Sequence, residues 1–565
     1  MSASQRASVR LGAILLCACA VCALLPETAL AQETDENVLK VTTRLVQVSV
    51  VAHDKSGKPV RDLTRDDFIL TDNGRPQPIS VFSVQVAEPD AGSPAQPDTA
   101  NPLTVSNRTL RASEKPVVVT VLLFDALNIP SLDDFLYAKR EVIQFLSRLR
   151  PGEPFALYSI NGPTVRVVHD FTDDSASLVF AAQKLSQSPL MNNALATPQV
   201  SLDPGHQSVS QLAAWIAEKS RQDEAARLRM TTEWTLTALA NVAHHLAGIP
   251  GRKSLVWISD AFPITIGLDT HSLQNASQQQ YYFSDRTNKI ARLLTESQVA
   301  VYPISPSGLV TDHIYSAGVT PREAHATISE WATSGHMVTA GELAAPRVAA
   351  MVDLAGKTGG LAFYNANGVF ESIHRAIDDS SVSYILGFYP PEAAWDGKYH
   401  EIGIKAKRAD VQVRGRKGYF AGATEPESLP ERHAALRLAV ASPLEGAAIG
   451  LRVNVESNPL DWWGQDLVLV MDAHDVRFEQ VSDRMRAEID VALVQQSAGG
   501  RTLGGVKDTL LYALLPESYE HALSDGLFFD EKLTVMPSAS RVRVVVRDVS
   551  TGAVGSVSLR VQRAH

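Results

Sequence analysis

From Val38 to Val86 apolar and polar residues alternate. Leu45, Val46, Val48, Val50 and Val51 mark one strand, and Phe68-Ile69-Leu70 and Ile79 to Val84 mark others. A period of two, broken by the turns Asp54 to Pro59 and Asp72-Asn73-Gly74, predicts a half-buried β segment over 38–87. Residues 88–115, rich in Pro, Ala, Ser and Asp, read as a linker. The pattern then changes. Val117 to Phe124 is an unbroken apolar run, as expected of a strand covered on both faces. Leu132, Phe135, Leu136, Val142, Ile143, Leu146 and Leu149 follow at helical spacing until Pro151-Gly152 stops them. Further strands are expected at 154–160, 165–170, 254–259 and 299–304, with helices over 208–247, 286–296, 346–357 and 370–379. Strand and helix in alternation over 116–380 predict a doubly wound α/β sheet.

The β pattern returns over 383–421, a second linker occupies 422–434, and 435–565 read as a C-terminal all-β domain closed by a hairpin at Thr551-Gly552. Residues 38–87 hold too few strands for a whole sandwich, and 383–421 have the same defect. The two are therefore expected to pair into one β-sandwich with the α/β segment inserted between them; two separate small β units are the alternative. Residues 190–207, 262–285 and 306–345 are long and polar, and are expected to be loops at one end of the sheet, where such folds keep their binding surfaces. No repeat of solenoid period is present.

Composition adds an address. Arg6 and Arg10, the apolar stretch Leu11 to Leu25, and Thr28-Ala29-Leu30-Ala31 have the order of a secretory signal peptide over 1–31, with cleavage expected after Ala31. Leu16-Cys17-Ala18-Cys19 offers a lipoprotein site as an alternative. No later segment reaches the apolar length of a membrane helix, so a secreted or periplasmic chain is expected. Cys17, Cys19 and Cys22 all lie in the signal, which leaves the remainder without disulfide, thiolate metal site or cysteine nucleophile. Losing Arg6, Arg10 and Glu27 leaves 50 basic and 61 acidic residues, a net charge of −11 with no basic tract, which argues against a nucleic-acid partner.

Three stretches carry a resemblance: Ser49 to Gly74, Val121 to Asp170, and Ala355 to Phe420. The last contains Thr358-Gly359-Gly360-Leu361-Ala362-Phe363-Tyr364, Ser383-Tyr384-Ile385-Leu386-Gly387-Phe388-Tyr389-Pro390 and Arg416-Lys417-Gly418-Tyr419-Phe420; Ile249 to Trp257 adds a further piece. Together they resemble the exported bacterial VWFA-related (von Willebrand factor type A, VWA) domain proteins over roughly residues 38–420. That resemblance implies a VWA (Rossmann-like) α/β domain with a metal-ion-dependent adhesion site. Such a site uses hard oxygens around Mg²⁺: Asp-x-Ser-x-Ser after the first strand, a threonine, and an aspartate after the fourth. Asp125 fills the first position, but Leu127 and Ile129 stand where the serines belong. Asp260 resembles the later acid, Thr232 or Thr231 the threonine, and Asn128, Ser131 or Asp133 are candidates for the missing oxygens. The site is degenerate, and the expectation is no cofactor, with Mg²⁺ the alternative and Mg²⁺, Mn²⁺ and Ca²⁺ expected to bind no tighter than about millimolar.

Other constellations are bland. His244-His245 lack a third zinc ligand at useful spacing. The pairs Asp66-Asp67, Asp133-Asp134, Asp173-Asp174 and Asp378-Asp379 read as solvated charge. Trp462-Trp463 read as packing residues or as an exposed platform. No G-x-S-x-G elbow, P-loop or H-E-x-x-H is present. The expected function is binding, not catalysis: adhesion-type contact with a protein partner through the loops named above. An envelope structural or assembly role carried by the β domains, and an exported hydrolase, are the other readings.

Overall fold

Val46, Val48 and Val50 point inward along the first strand while Gln47 is exposed, and this alternation sets the register of everything that pairs with it. A computed structural model describes residues 45–86, 104–108, 118–129, 131–149, 152–189, 207–260, 273–307, 340–364, 368–391, 398–421, 427–457 and 464–561. The expected signal peptide, most of the expected loops, and Trp462-Trp463 lie outside the described residues.

The chain begins with β1 (Val46–Asp54), β2 (Phe68–Asp72), β3 (Arg75–Gln77), β4 (Val81–Val86) and β5 (Thr104–Ser106). Next come β6 (Val119–Asp125), α1 (Leu132–Leu146), β7 (Phe155–Ile160), β8 (Val165–Thr172), α2 (Ser175–Gln183), α3 (Gln207–Leu246), β9 (Lys253–Ile258), α4 (Leu273–Glu296), β10 (Val299–Ile304), α5 (Ala340–Thr358) and α6 (Val369–Ser380). Then follow β11 (Val382–Phe388), β12 (Tyr399–Ala406), β13 (Val411–Gly415) and β14 (Gly418–Phe420). The last part holds α7 (Leu429–Ala441), β15 (Leu451–Ser457), β16 (Gly464–Met471), β17 (Glu479–Val481), β18 (Arg484–Gln496), β19 (Thr502–Leu514), α8 (Pro516–Asp525), β20 (Leu527–Thr534), β21 (Arg541–Asp548) and β22 (Val554–Arg560).

These strands correct the fold class expected from the sequence. An α/β doubly wound VWA (Rossmann-like) class does not describe the chain: among the described residues, four of five sheets are antiparallel and the fifth is mixed. Among the described residues the molecule is mostly β, with small sandwich-like antiparallel sheets and eight α-helices. The α/β reading came from the alternation within 116–380, but five of the twenty-two strands among the described residues belong to that sheet, and β8 runs antiparallel to β7 at its edge.

In the first pair of sheets the orders are β13-β1-β11-β4 and β14-β12-β2-β3. Val46 faces Phe388 and Ile402 faces Asp72, so strands on either side of the mixed sheet share both layers and one core, with Val48, Phe68, Tyr384 and Tyr419 inside. The mixed sheet has order β10-β9-β6-β7-β8, and every residue of β6, β7, β9 and β10 is buried. Leu123 and Trp257 pack against α3, α4 and α5 on one face, and Phe124 and Tyr302 against α1, α2 and α6 on the other. The last two sheets, β20-β16-β15-β5 and β17-β18-β21-β22 with β19 beside β18, enclose a third core. Residues 104–108, which the sequence places in a linker, supply β5 to that body. There buried Asn107 donates to the Gly446 and Ile449 carbonyls at 2.6 and 2.8 Å. Residues 429–434, also read as linker, open α7, whose start is fixed by the Ser428–Glu431 capping box.

A buried polar chain joins the first sandwich to the mixed sheet. The Arg252 backbone N–H donates to Gln85 Oε1 at 3.0 Å, and its guanidinium to the Tyr302 hydroxyl and the Gly359 carbonyl at 3.1 and 2.8 Å. Tyr302 donates to Asp379 Oδ2 at 2.7 Å, Arg414 donates to the same oxygen, and His53 Nε2 lies 3.6 Å from Oδ1. Burial pushes the Tyr302 hydroxyl up to about 12, so it remains a donor. Asp379, expected as solvated charge, is instead 7% exposed and central to this chain.

Lys253 beside it is 1% exposed, with its Nζ donating to the Ile249 carbonyl at 2.6 Å, and burial pushes its ammonium down to about 7. A lysine depressed on folding binds fewer protons folded than unfolded between those pKa values, so stability rises with pH there. We expect chemical denaturation to show wild type gaining on Lys253→Met between pH 7 and 10, by several kcal/mol, at ~1.4 kcal/mol for each pH unit between the folded and unfolded values. A flat difference across that window would contradict the assignment.

Candidate functional site

The parallel strands β6, β7, β9 and β10 end on one edge, and the strand order reverses between β6 and β9, the position where open sheets of this kind leave a crevice. Asp125 closes β6 at that crevice and is fully buried. Its Oδ1 accepts from the backbone N–H groups of Leu127 and Asn128, both at 3.2 Å, in a tight turn after the strand. Oδ2 accepts from Asn128 Nδ2 at 2.8 Å, Trp257 Nε1 at 3.1 Å and Ser259 Oγ at 3.1 Å. Burial pushes the Asp125 carboxyl up to about 6, against the pull of these hydrogen bonds.

Five donors occupy roughly the four lone-pair directions that a carboxylate offers. A cation at Asp125 would have to displace some of them. Leu127 and Ile129, which stand where hydroxyls would serve a metal, are fully buried in the cores on the two faces of the sheet. Among the described residues no three His, Cys, Asp or Glu side chains stand together as a ligand set.

The structure brings Asn128 to Asp125, where the sequence places it. Asn128 also donates to Thr235 Oγ1 at 2.8 Å, and it is Thr235, one helical turn beyond the threonines singled out, that touches this network. Thr231 and Thr232 donate instead to the Leu228 carbonyl in their own helix, at 3.1 and 2.7 Å. Ser131 caps α1 by accepting from the Asp134 N–H at 3.2 Å, and Asp133 is exposed in that helix's first turn. Asp260 sits beside the crevice, half-buried, accepting from Ser305 Oγ at 3.1 Å and from Ser307 Oγ. Sequence reasoning missed Ser305, Ser307 and Thr235. The only signal was position, since each lies within a few residues of a strand end or a helical turn from a chosen residue.

The other candidates turn out to be seams. Ala447 N–H donates to the His244 carbonyl at 2.9 Å, and His245 Nδ1 lies 2.7 Å from the Glu445 carbonyl while its ring stacks on Phe171. Burial pushes the His244 imidazole down to about 4, so it is neutral. Asp67 and Asp174 act as helix caps.

No family model matches the chain, and no curated protein matches it. Among solved structures it is similar to the three N-terminal domains of the type V pili tip protein Mfa5 from Porphyromonas gingivalis, at 11% identity, over 85% of this chain and 96% of that one, with a TM-score of 0.20. It is also similar to the Pseudomonas fluorescens alkylpurine DNA glycosylase AlkC bound to DNA containing an abasic site analog, at 11% identity, over 77% and 99%, with a TM-score of 0.13. Scores this low show no common fold and say nothing of this chain's function.

A carboxyl raised by burial binds more protons folded than unfolded between the two pKa values, so its contribution weakens as pH rises from about 4 to 6. We expect wild type to lose roughly 3 kcal/mol relative to Asp125→Asn across that window in denaturant titrations, the equivalent of the shift to about 6. A gain would show that the hydrogen bonds outweigh burial, and a constant difference that they offset it.

Proposed function

We propose that the protein is an exported binding protein of adhesion type, which engages a protein partner through the carboxyl edge of its parallel strands and performs no chemistry there. What carries the reading is the set of described elements that end or project at that edge. Ser188 Oγ donates to the Asn161 carbonyl just past β7, so the connection over 190–206 leaves from this edge, as do those over 261–272 after β9 and 308–339 after β10. Two helices project past it. Thr235 meets Asn128 at the edge, so residues 207–234 of α3 run beyond it for about 40 Å at the usual helical rise. Arg286 of α4 pairs with Glu233 of α3 at 2.6 Å and keeps the two side by side. Trp215, on the projecting part, is 64% exposed, and Trp is among the side chains most often central to a protein interface.

The saturated Asp125 supports a contact that does not run through a metal, and the net negative charge supports a protein partner over nucleic acid. Export and kinship with the VWFA-related proteins rest on the signal-like start of the chain and on the motifs within residues 38–420. No helix of the described residues is long and apolar enough to cross a membrane.

Crosslinking in the native cell followed by capture with purified protein tests the reading. Trp215→Ala is expected to weaken partner capture at least tenfold, and shortening 308–339 to abolish it, with capture unchanged by EDTA. Capture that survives both changes would remove the edge as the interface. Loss on chelation, restored by Mg²⁺, would show that a metal is used.

A further inference from the structure

At the opposite end of the mixed sheet a cavity of about 430 Å³ opens where three parts of the chain meet. The last turns of α4 and Lys357 of α5 form one wall, Leu45 and Val46 with the strands around Arg416 to Phe420 form another, and Arg477 reaches in from the C-terminal body. Its size is that of a small-molecule site, and such sites favour junctions between domains.

The wall is aromatic and cationic at once. Tyr399 and Phe420 meet edge to face at 5.2 Å, and Gly418 makes this possible, since a Cβ there would stand 2.5 Å from the Tyr399 ring and 2.2 Å from the His400 carbonyl. The Arg416 guanidinium lies 6.0 Å from the Tyr419 ring centre. It donates to the Gln47 carbonyl at 2.7 Å, while its Nε is enclosed without a hydrogen-bond partner. Among the described residues Glu296 is the one carboxylate on the lining, and its Oε1 is engaged by Arg292 at 2.7 Å. Lys357 is engaged by Asp353 and by Asn288 Oδ1. Among the described residues no carboxylate forms an ion pair with Arg416 or Arg477. Two guanidiniums thus line an aromatic-walled space in which the nearest carboxylate, Glu296, is held by Arg292 and forms no ion pair with either of them. Burial pushes Arg416 down to about 10, so it still carries its charge near neutrality.

We propose that this cavity binds a small organic anion consisting of an aromatic ring and a carboxylate. The ring would lie on Tyr399 and Phe420, where apolar atoms of Leu45, Val46 and Ala291 complete the wall. The carboxylate would take the free guanidinium hydrogens of Arg416 and Arg477, the planar fork that matches it. The site is separate from the carboxyl edge, and its test is independent of the partner proposed there.

Calorimetry on the full chain at low salt, with N-acetyl-L-phenylalanine, its uncharged amide and inorganic phosphate as probes, decides it. The acid is expected to bind saturably, the amide at least tenfold more weakly, and phosphate not to displace the acid at equal concentration. Arg477→Gln, whose side chain makes no hydrogen bond within the described residues, is expected to weaken the acid at least fivefold with an unchanged Tm. Arg416→Gln is expected to abolish binding; should it unfold through the loss of its contact to Gln47, Arg477→Gln still gives the answer. Equal binding of acid and amide, displacement by phosphate, no saturable binding, or an Arg477→Gln that binds as wild type would each overturn the proposal.

Discussion

Asp379 is a carboxylate with almost no access to water, and what satisfies it holds the first sandwich to the mixed sheet. A buried anion left alone costs several kcal/mol, so its partners cannot drift. Tyr302 comes from β10 and Arg414 from β13, with His53 of β1 nearby at 3.6 Å, while Arg252, at the entry to β9, ties Tyr302 to Gly359 and Gln85. Strands more than three hundred residues apart, such as β1 and β11, pair on the same side of this junction. Pairing supplies the sheet, and the polar chain fixes how that sheet sits against its neighbour.

The consequence is a molecule with one stapled end and one free end. At the amino end of β9 Arg252 is committed to Gln85 through its backbone N–H and to Gly359 through its guanidinium. At the carboxyl ends Asp125 is closed by five donors. The cavity around Arg416 belongs to the stapled end, where three bodies meet and small shifts between them would change its shape.

The sequence made some of this legible and hid the rest for physical reasons. Alternation over Val46 to Val51 and the apolar runs at Val117 to Phe124 and 299–304 marked strands well, because burial on one or both faces imposes a period directly. The class of the whole chain did not follow, because a prominent α/β stretch says nothing of how many strands elsewhere pair antiparallel. β5 stayed hidden in Pro- and Ala-rich surroundings, since three residues are too few to show a period. Asp125 and Asn128 were found together because three residues separate them in one turn. Thr235 and the Asp260–Ser305–Ser307 group depend on contacts across 107 and 45 residues or more, which no local pattern encodes. Asp379 was misplaced for the same reason: adjacent acids suggest solvent until the arginine that buries one of them is known.

The central claim, that the Asp379 junction makes the sandwich and the mixed sheet one cooperative body, is tested most directly by native-state hydrogen exchange on wild type and Asp379→Asn. In wild type the slowest amides of β1, β11, β9 and β10 should share one opening free energy, as a single cooperative unit does. Removing the charge while keeping the shape should lower that shared value in both sheets by about 3 kcal/mol, the cost of breaking a buried pair. Separate opening energies in wild type, or a change confined to one sheet, would contradict the account.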